Sequence, residues 1–428
     1  MKRIIVLFRN NLRIRDNSPL YNAAQDGEVL CVYCDENLND QRTPLGFPRE
    51  GIFRRSFRQA TLRDLSLSLG ERGCSLLLFK GHAHDVLPTL CSQNAIEAVY
   101  TAQPNGTEER AMNDTLKAIL SKANIELRCF DEGALFESQE LPSPISEIPR
   151  VFTKFRRQIE AGRTPAPELP EPPSIRAIKI GYSEAGDYCL DADLGISRVS
   201  ETAFPFSGGE KTALQRVHQY FWETHAVAHY KETRNGLVGR DYSSKLSPWL
   251  SLGAISPRTV YHLLKRYERE HGVNDSTYWL YFELLWREFF RHTLTKDGNR
   301  FFGRYPTITE TQRNVLANWI GGRSGDDFVD AQMIEIAQTG WMSNRGRQVA
   351  ASYLIYGLNV DWWFGAEYFE SQLIDYDVAS NYGNWRYIAG QGNDPRGGRV
   401  FNSEKQARAY DPTGEHRALW LKRRIPRI

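Results

Sequence analysis

Histidine is scarce, at 9 in 428 residues. That leaves few ligands for a catalytic metal and few bases for a nucleophile, and no Ser or Cys stands in motif spacing with a His–Asp pair. Cysteine is sparse too, and all six (31, 34, 74, 91, 129 and 189) fall in the first half. Cys31 and Cys34 form C-x-x-C, but inside the apolar, strand-like run "EVLCVYCDEN", with no second C-x-x-C and no His at ligand spacing. Buried strand cysteines are expected there rather than zinc or redox chemistry, and no metal site is expected. No run of about 18 apolar residues is present, so no membrane span is expected. The chain opens directly on an apolar strand, "MKRIIVLFRN", without signal-peptide character, which makes the reducing cytoplasm the expected location. A charge excess is lacking as well: 54 basic residues face 52 acidic ones, so any surface for an anionic partner must be local. No G-x-G-x-x-G follows the first strand, where "RNNLRIRDN" stands instead, and a dehydrogenase is excluded on that ground.

Aromatics, by contrast, are abundant, at 12% with 10 Trp, a composition of folded protein. Residues 1–131 alternate short apolar strands (4–8, 28–34, 75–81, 98–103 and 126–130) with mixed-charge helical segments (49–72, 83–94 and 107–123). Parallel strands need crossover connections, so this rhythm predicts a doubly wound α/β domain with a parallel sheet. Residues 132–205 carry "LPSPISEIP" and "TPAPELPEPPS", the mark of an extended connector, around a short basic helix in "RVFTKFRRQIEAGR". From 206 to 428 strand signals vanish, and helical periodicity over 208–230, 256–271, 276–294, 328–338, 346–358 and 363–373 predicts an all-α domain.

Four stretches of that second domain are chemically unusual. In "RDYSSKLSPWLSLGAISPR" (240–258) hydroxyls gather at a proline-marked helix start. Ordinary N-capping accounts for such a segment, and so does a bound diphosphate. In "FELLWREFFRH" (282–292), Glu283, Trp286, Arg287 and Phe290 recur at i, i+3, i+4 and i+7, placing an acid, an indole and a guanidinium on one helix face. A surface Glu283–Arg287 pair is the plainer alternative, which Trp286 fits poorly. "TGWMSNRGRQVAASYLIYGLNVDWW" (339–363) clusters Asn344, Arg345, Arg347 and Gln348, with Gly346 allowing a close approach. "DYDVASNYGNWRY" (375–387) supplies Asp375, Asp377, Asn381, Trp385 and Tyr387. Amides, guanidinium groups, carboxylates and indoles together suit a buried, polar, planar ligand.

These stretches, with "ELLWREFFR", "DWWFGAEYFESQLIDYDVASNYGNW" and "GNDPR", resemble the photolyase/cryptochrome family, and most of all its cryptochrome DASH branch. The resemblance spans nearly the whole chain. It implies a non-covalent, U-shaped FAD in the helical domain. Tyr230 and the run Ser243, Ser244, Lys245, Leu246 and Ser247 would contact its phosphates and ribose. Arg287 would face the diphosphate, and Asn344, Arg347, Asp375 and Asp377 would surround the isoalloxazine and ribityl chain. Asn381 would face N5, where an amide oxygen can accept the N5–H of reduced flavin. An aspartate beside Arg347 would neutralise it in a buried site.

The resemblance further implies a photolyase-type lyase: light-driven electron donation that splits cyclobutane pyrimidine dimers flipped into a pocket. Trp286 would stack on the lesion, Glu283 would share a proton with a pyrimidine carbonyl, and Asn344, Arg345 and Gln348 would line the mouth and meet DNA phosphate. Tyr387 departs from the second pocket Trp of dimer photolyases, as in cryptochrome DASH proteins, which points to single-stranded DNA as the preferred substrate. Asn344 and Gln348 stand where (6-4) enzymes resemble one another in histidine. Trp385 and Trp362 match the inner members of an electron relay, whereas the outermost place falls on Thr309; either Trp319, Trp363 or Tyr305 replaces it or the relay is truncated there. Glu109 matches a contact to a folate antenna, 5,10-methenyltetrahydrofolate, although a surface helix glutamate is the plainer reading. A monomer is expected. The rival reading is a blue-light photoreceptor that binds DNA or protein without efficient repair.

Overall fold

The computed structural model describes residues 1–36, 40–179, 190, 199–392 and 397–423, so Cys189, much of the connector, most of "GNDPR" and the last five residues lie outside the described residues. Five parallel strands, β1 (Lys2–Phe8), β2 (Gly27–Asp35), β3 (Leu76–Lys80), β4 (Ala98–Ala102) and β5 (Glu126–Phe130), form one sheet in the order β3-β2-β1-β4-β5. Helices α1 (Ser18–Asp26), α2 (Ile52–Gly70), α3 (Ala83–Gln93) and α4 (Thr107–Lys122) make the crossovers. The strands are apolar on both faces because both are covered. Ile4, Val6 and Phe8 join a core that continues into the helical domain, while Ile5 and Leu7 pack with Leu87, Leu90, Leu116 and Leu120 of α3 and α4. Successive strand residues point to opposite faces, so Cys31 and Cys34 are buried in separate cores and cannot share a ligand.

Strand order reverses between β1 and β4, which opens a crevice at their carboxyl ends. The segment after β1 does not cradle a phosphate; it docks the helical domain. Leu12 N–H donates to the Leu252 carbonyl at 3.2 Å, and Arg13 to that of Gly253 at 3.1 Å. Glu210 accepts the N–H groups of Ile14 (2.7 Å) and Arg15 (3.0 Å), and buried Asp16 pairs with Arg258 at 3.1 Å. Gly253 sits at φ +63, and a Cβ there would lie 2.1 Å from the Asn10 carbonyl oxygen, so the docking demands glycine.

The connector carries α5 (Phe152–Glu160), followed by an extended run that lies along β2, with Val29 N–H donating to Arg176. The helical domain contains α6 (Glu210–His218), α7 (Tyr230–Thr233), α8 (Ser247–Ser251), α9 (Pro257–His271), α10 (Asp275–Asp297), α11 (Glu310–Ile320), α12 (Asp327–Thr339), α13 (Asn344–Ser352), α14 (Trp362–Gln372), α15 (Val378–Ile388), α16 (Ser403–Tyr410) and α17 (Glu415–Leu421).

Two expectations are corrected. The helix expected over 208–230 is broken: α6 passes into a wide turn at Gln219–Glu223 and then a tight one at Ala226–His229, because His225 takes a left-handed φ of +50. The helix expected over 346–358 likewise ends at Ser352 and closes with a wide turn at Tyr353–Gly357.

Candidate functional site

Helix α13 is capped by Ser343, which accepts the Gly346 N–H at 2.9 Å. The group that approaches Gly346 closely is Gln332 of α12, whose side-chain oxygen would lie 2.0 Å from a Cβ there. One turn on, Arg347 donates to both oxygens of Asp375 at 3.0 and 2.9 Å, and to the Met342 carbonyl at 2.9 Å. The Asp375 side chain is 3% exposed and that of Arg347 26%, so this is a charge-assisted fork at a half-open wall. Asp377 caps α15 by accepting the Ser380 N–H at 2.7 Å. On the next turn, buried Asn381 donates its amide N–H to the Ala366 carbonyl at 3.0 Å, which fixes the carboxamide and leaves its oxygen without a hydrogen bond among the described residues.

The 240–247 loop is shaped by a residue that sequence reasoning missed. Arg216 of α6, fully buried, donates to the carbonyls of Arg240 (3.1 Å), Ser243 (3.0 Å) and Ser244 (3.0 Å) and pairs with Asp241 at 2.6 Å. Phe206 and Tyr220 each lie 4.8 Å from its guanidinium carbon. With these carbonyls turned inward, Ser243 stays partly exposed and Ser247 exposed. Lys245 is a correction to the expected set of cofactor contacts. Its φ of +61 turns the side chain into the core, where Nζ lies 3.0 Å from the Tyr242 ring centroid and finds no hydrogen-bond partner among the described residues. Burial holds its ammonium pKa well below the usual value, so only its backbone can serve a ligand. Leu246 and Tyr230 are buried beside this loop and α7. Helix α8 has only five residues, so its dipole adds little to anion binding.

The α10 face is arranged otherwise than a Glu283–Arg287 pair would give. Glu283 is held by Arg234 at 2.7 Å, from just after α7. Burial raises its carboxyl pKa, with Arg234 pulling the other way. Arg287 turns toward the α/β domain and donates to the Gly133 carbonyl at 2.9 Å. Trp286 stacks on Phe152 of α5 at 3.7 Å and 13°, and meets Tyr387 edge-on at 5.6 Å. The Tyr387 hydroxyl accepts from Arg399 at 2.6 Å, and that guanidinium also covers its ring at 5.1 Å. Arg345 stacks on Tyr410 at 4.7 Å and donates to Asn235 at 3.2 Å. Asn344 is exposed and Gln348 half-buried. Phe152, Arg234 and Arg399 carry no signal in the sequence, because each belongs to a segment brought in from elsewhere in the chain.

At the sheet's carboxyl edge, between the two domains, lies a cavity of about 580 Å³. Arg287, Arg291 and Asp377 line one side and Glu109 of α4 the other. Burial raises the Glu109 carboxyl pKa, so this residue is a cavity wall rather than a plain surface glutamate. Trp385 packs so closely on α14 that a Cβ at Gly365 would lie 2.2 Å from its ring. Trp362 donates its indole N–H to Gln391 at 3.0 Å and stacks on Trp363 at 5.3 Å. Among the described residues, no three or more His, Cys, Asp or Glu side chains gather as for a metal ion, and no helix is long and apolar enough to cross a membrane.

The fold is shared with known proteins over almost the full length. Residues 4–173 match the DNA photolyase family model, and residues 279–424 match the FAD binding domain of DNA photolyase. The chain is 42% identical to cryptochrome DASH of Gloeobacter violaceus, over 98% of this chain and 85% of that one. The chain belongs to the photolyase/cryptochrome family. Cryptochrome DASH of Xenopus laevis is 41% identical, over 98% of this chain and 82% of that one. Among solved structures, a Synechocystis cryptochrome superposes with a TM-score of 0.93 at 39% identity, covering 99% of this chain and 89% of that one. A class III photolyase of Agrobacterium tumefaciens gives 0.84 at 27% identity, covering 99% and 87%. The family's FAD-binding domain fits the residues present: a forked Arg347–Asp375 pair, an amide oxygen held ready on Asn381, and partly exposed hydroxyls on a braced loop.

Proposed function

We propose that this photolyase/cryptochrome family member is a blue-light-dependent FAD flavoprotein that splits cyclobutane pyrimidine dimers, preferentially in single-stranded DNA. Reduced FAD, when bound, supplies an electron under light. The chain's own residues do the rest. Arg347 and Asp375 hold the ring system, with Asp377 and the 243–247 loop as further contacts. Asn381 presents its oxygen to N5–H and so supports the reduced form. Glu283, whose carboxyl pKa burial raises, donates a hydrogen bond in its protonated form to a pyrimidine carbonyl as negative charge develops there. Trp286 and Tyr387 grip the flipped lesion, and Asn344, Arg345 and Gln348 form the mouth.

The observation that carries this reading is the pairing of Glu283, with its raised pKa, and the edge-on Trp286–Tyr387 rings on one wall. A tyrosine tethered by Arg399 stacks on a base less strongly than a second indole. Extruding a dimer from a duplex costs a few kcal/mol more than taking it from a single strand, so the smaller grip favours the latter. The test is repair of a defined dimer under blue light with the flavin reduced, in single strands and in duplex.

One contact favours a second reading, a blue-light photoreceptor without efficient repair. Phe152 covers one face of Trp286 and leaves less of the indole for a lesion. The interdomain cavity, walled by Glu109, is the proposed seat of a folate antenna, 5,10-methenyltetrahydrofolate. Its size and mixed polar lining support that reading. Spectra of the purified protein test it.

A further inference from the structure

Two aromatic groups lie around the Trp385 helix, and among the described residues the one on α14 ends in an exposed ring. Thr309 is the cap of α11, accepting the Gln312 N–H at 3.2 Å, and has no ring to oxidise. Trp319 meets Trp385 at 6.4 Å, but it is 0% exposed and so offers no exchange with solvent. The other group runs through α14. Trp362 stacks on Trp363 at 5.3 Å and 29°, and Trp363 meets Tyr305 at 5.3 Å. Tyr382, one turn before Trp385 on α15, packs on Trp363 at 5.0 Å and on Trp362 at 6.3 Å, closing the group against the Trp385 helix. Tyr305 is 37% exposed and stands on the wall of the interdomain cavity.

A proton acceptor waits beside it. Tyr305 and Glu367 of α14 line the same cavity, and burial, then the Glu367 carboxylate, push the Tyr305 phenol pKa up. The Glu367 side chain is 1% exposed; one oxygen accepts the Leu45 N–H at 3.2 Å, and the other is buried and otherwise unpartnered. An unpaired buried acceptor is costly. The Tyr382 phenol of this group is already committed to Glu370 at 2.9 Å, which leaves Tyr305, on the same cavity wall as Glu367, as the phenol to meet it. Two adjacent tryptophans, "DWW", and a tyrosine 57 positions before the first of them put this arrangement together.

We propose that Tyr305 is the terminal electron donor of a Trp385–Trp362–Trp363 path, with Glu367 taking its phenolic proton. The proposal rests on the flavin reading above. Trp385 gives one electron to the light-excited oxidised flavin, and Trp362 and then Trp363 refill the vacancy. Tyr305 supplies the last electron. Its O–H bond breaks, the proton passes to Glu367, and a neutral tyrosyl radical faces a carboxylic acid. Keeping the proton away from solvent delays the back reaction. A small thiol, reaching the partly exposed ring, returns a hydrogen atom to the phenoxyl oxygen, and Glu367 releases its proton to water.

The test is electron paramagnetic resonance of the FAD-loaded full chain, frozen under blue light, with FAD content read from absorbance. Wild type gives a neutral tyrosyl signal. Tyr305→Phe, which keeps the ring and its packing, loses that signal with FAD content unchanged, and a tryptophan radical replaces it. Trp363→Phe also loses it. Glu367→Gln slows tyrosyl formation and removes its dependence on deuterated solvent. A tyrosyl signal that persists in Tyr305→Phe at full FAD content overturns the assignment and leaves the flavin reading standing. A wild-type chain that takes up no FAD overturns both.

Discussion

The two groups of proposed site residues in the helical domain are built differently. On the proposed flavin side the main polar elements are braced by others: Arg347 by Asp375, the Asn381 carboxamide by Ala366, and the 240–247 loop backbone by Arg216. On the proposed lesion side Asn344 is exposed, Gln348 is half-buried, and the aromatic wall of Trp286 and Tyr387 is held by borrowed contacts from Phe152 and Arg399. The difference is what preorganisation requires. A resident cofactor gains from a rigid seat, whereas a substrate that arrives, turns and leaves needs adaptable groups at the mouth.

The largest effects should fall on the rigid side. Asp375→Ala strands Arg347 as an unpaired charge in a half-closed site. Breaking a buried pair costs about 3–5 kcal/mol, and the residual exposure of Arg347 puts this one near the lower end. Purified Asp375→Ala should lose most of its FAD, as read from absorbance per chain. Arg216→Leu removes the brace of the 240–247 loop. Charge-assisted hydrogen bonds are worth about 1.5–3 kcal/mol each and are not additive, so FAD affinity should drop by at least tenfold and the melting temperature should fall. If Arg216→Leu binds FAD normally, the loop is not held for the cofactor and the contrast between the two sides weakens.

Effects on the open side should be smaller and should spare FAD. Glu283 has a raised pKa, so its protonated fraction falls as pH rises through that value from the ordinary carboxylate range. Only the protonated acid donates to a carbonyl. Wild-type repair should therefore decline with rising pH, while Glu283→Gln, a permanent donor, should give a flatter profile at equal FAD content. Matching profiles would remove Glu283 from the proposed chemistry. Smallest of all, Tyr387→Trp should strengthen lesion stacking by ~1 kcal/mol, the low end of base–aromatic stacking, and narrow the gap between single-stranded and duplex substrates.

How much of this was legible in the sequence follows from the range of each interaction. The strands and crossovers of the first domain show as short continuous apolar runs between mixed-charge helices, and the sheet is as expected. Asp375 and Arg347, 28 positions apart, could be placed near each other only through a family resemblance. Helix α15 was invisible to periodicity, because "VASNYGNWRYI" spends its positions on polar and aromatic groups rather than on an aliphatic stripe. The break after α6 escaped as well, since nothing in "FWETHAVAH" announces that His225 takes a left-handed turn. Arg216, Arg234, Arg399 and Phe152 escaped for a different reason: their roles come from tertiary approach across 12 to more than 100 positions, and an isolated Arg or Phe has no local pattern to mark it. Where the Lys245 side chain goes was not legible either, because a positive φ turns it into the core.

The central claim is that the pocket repairs dimers and prefers them unpaired. It is tested most directly by mixing the full chain, loaded with reduced FAD, with an oligonucleotide carrying one cyclobutane pyrimidine dimer, single-stranded or annealed, under blue light and at fixed salt. The account predicts loss of the dimer from the single strand at a rate well above that from the duplex, and no loss from either in the dark. An intact dimer in both substrates, with the flavin fully reduced and the light on, would contradict it and leave the photoreceptor reading in its place.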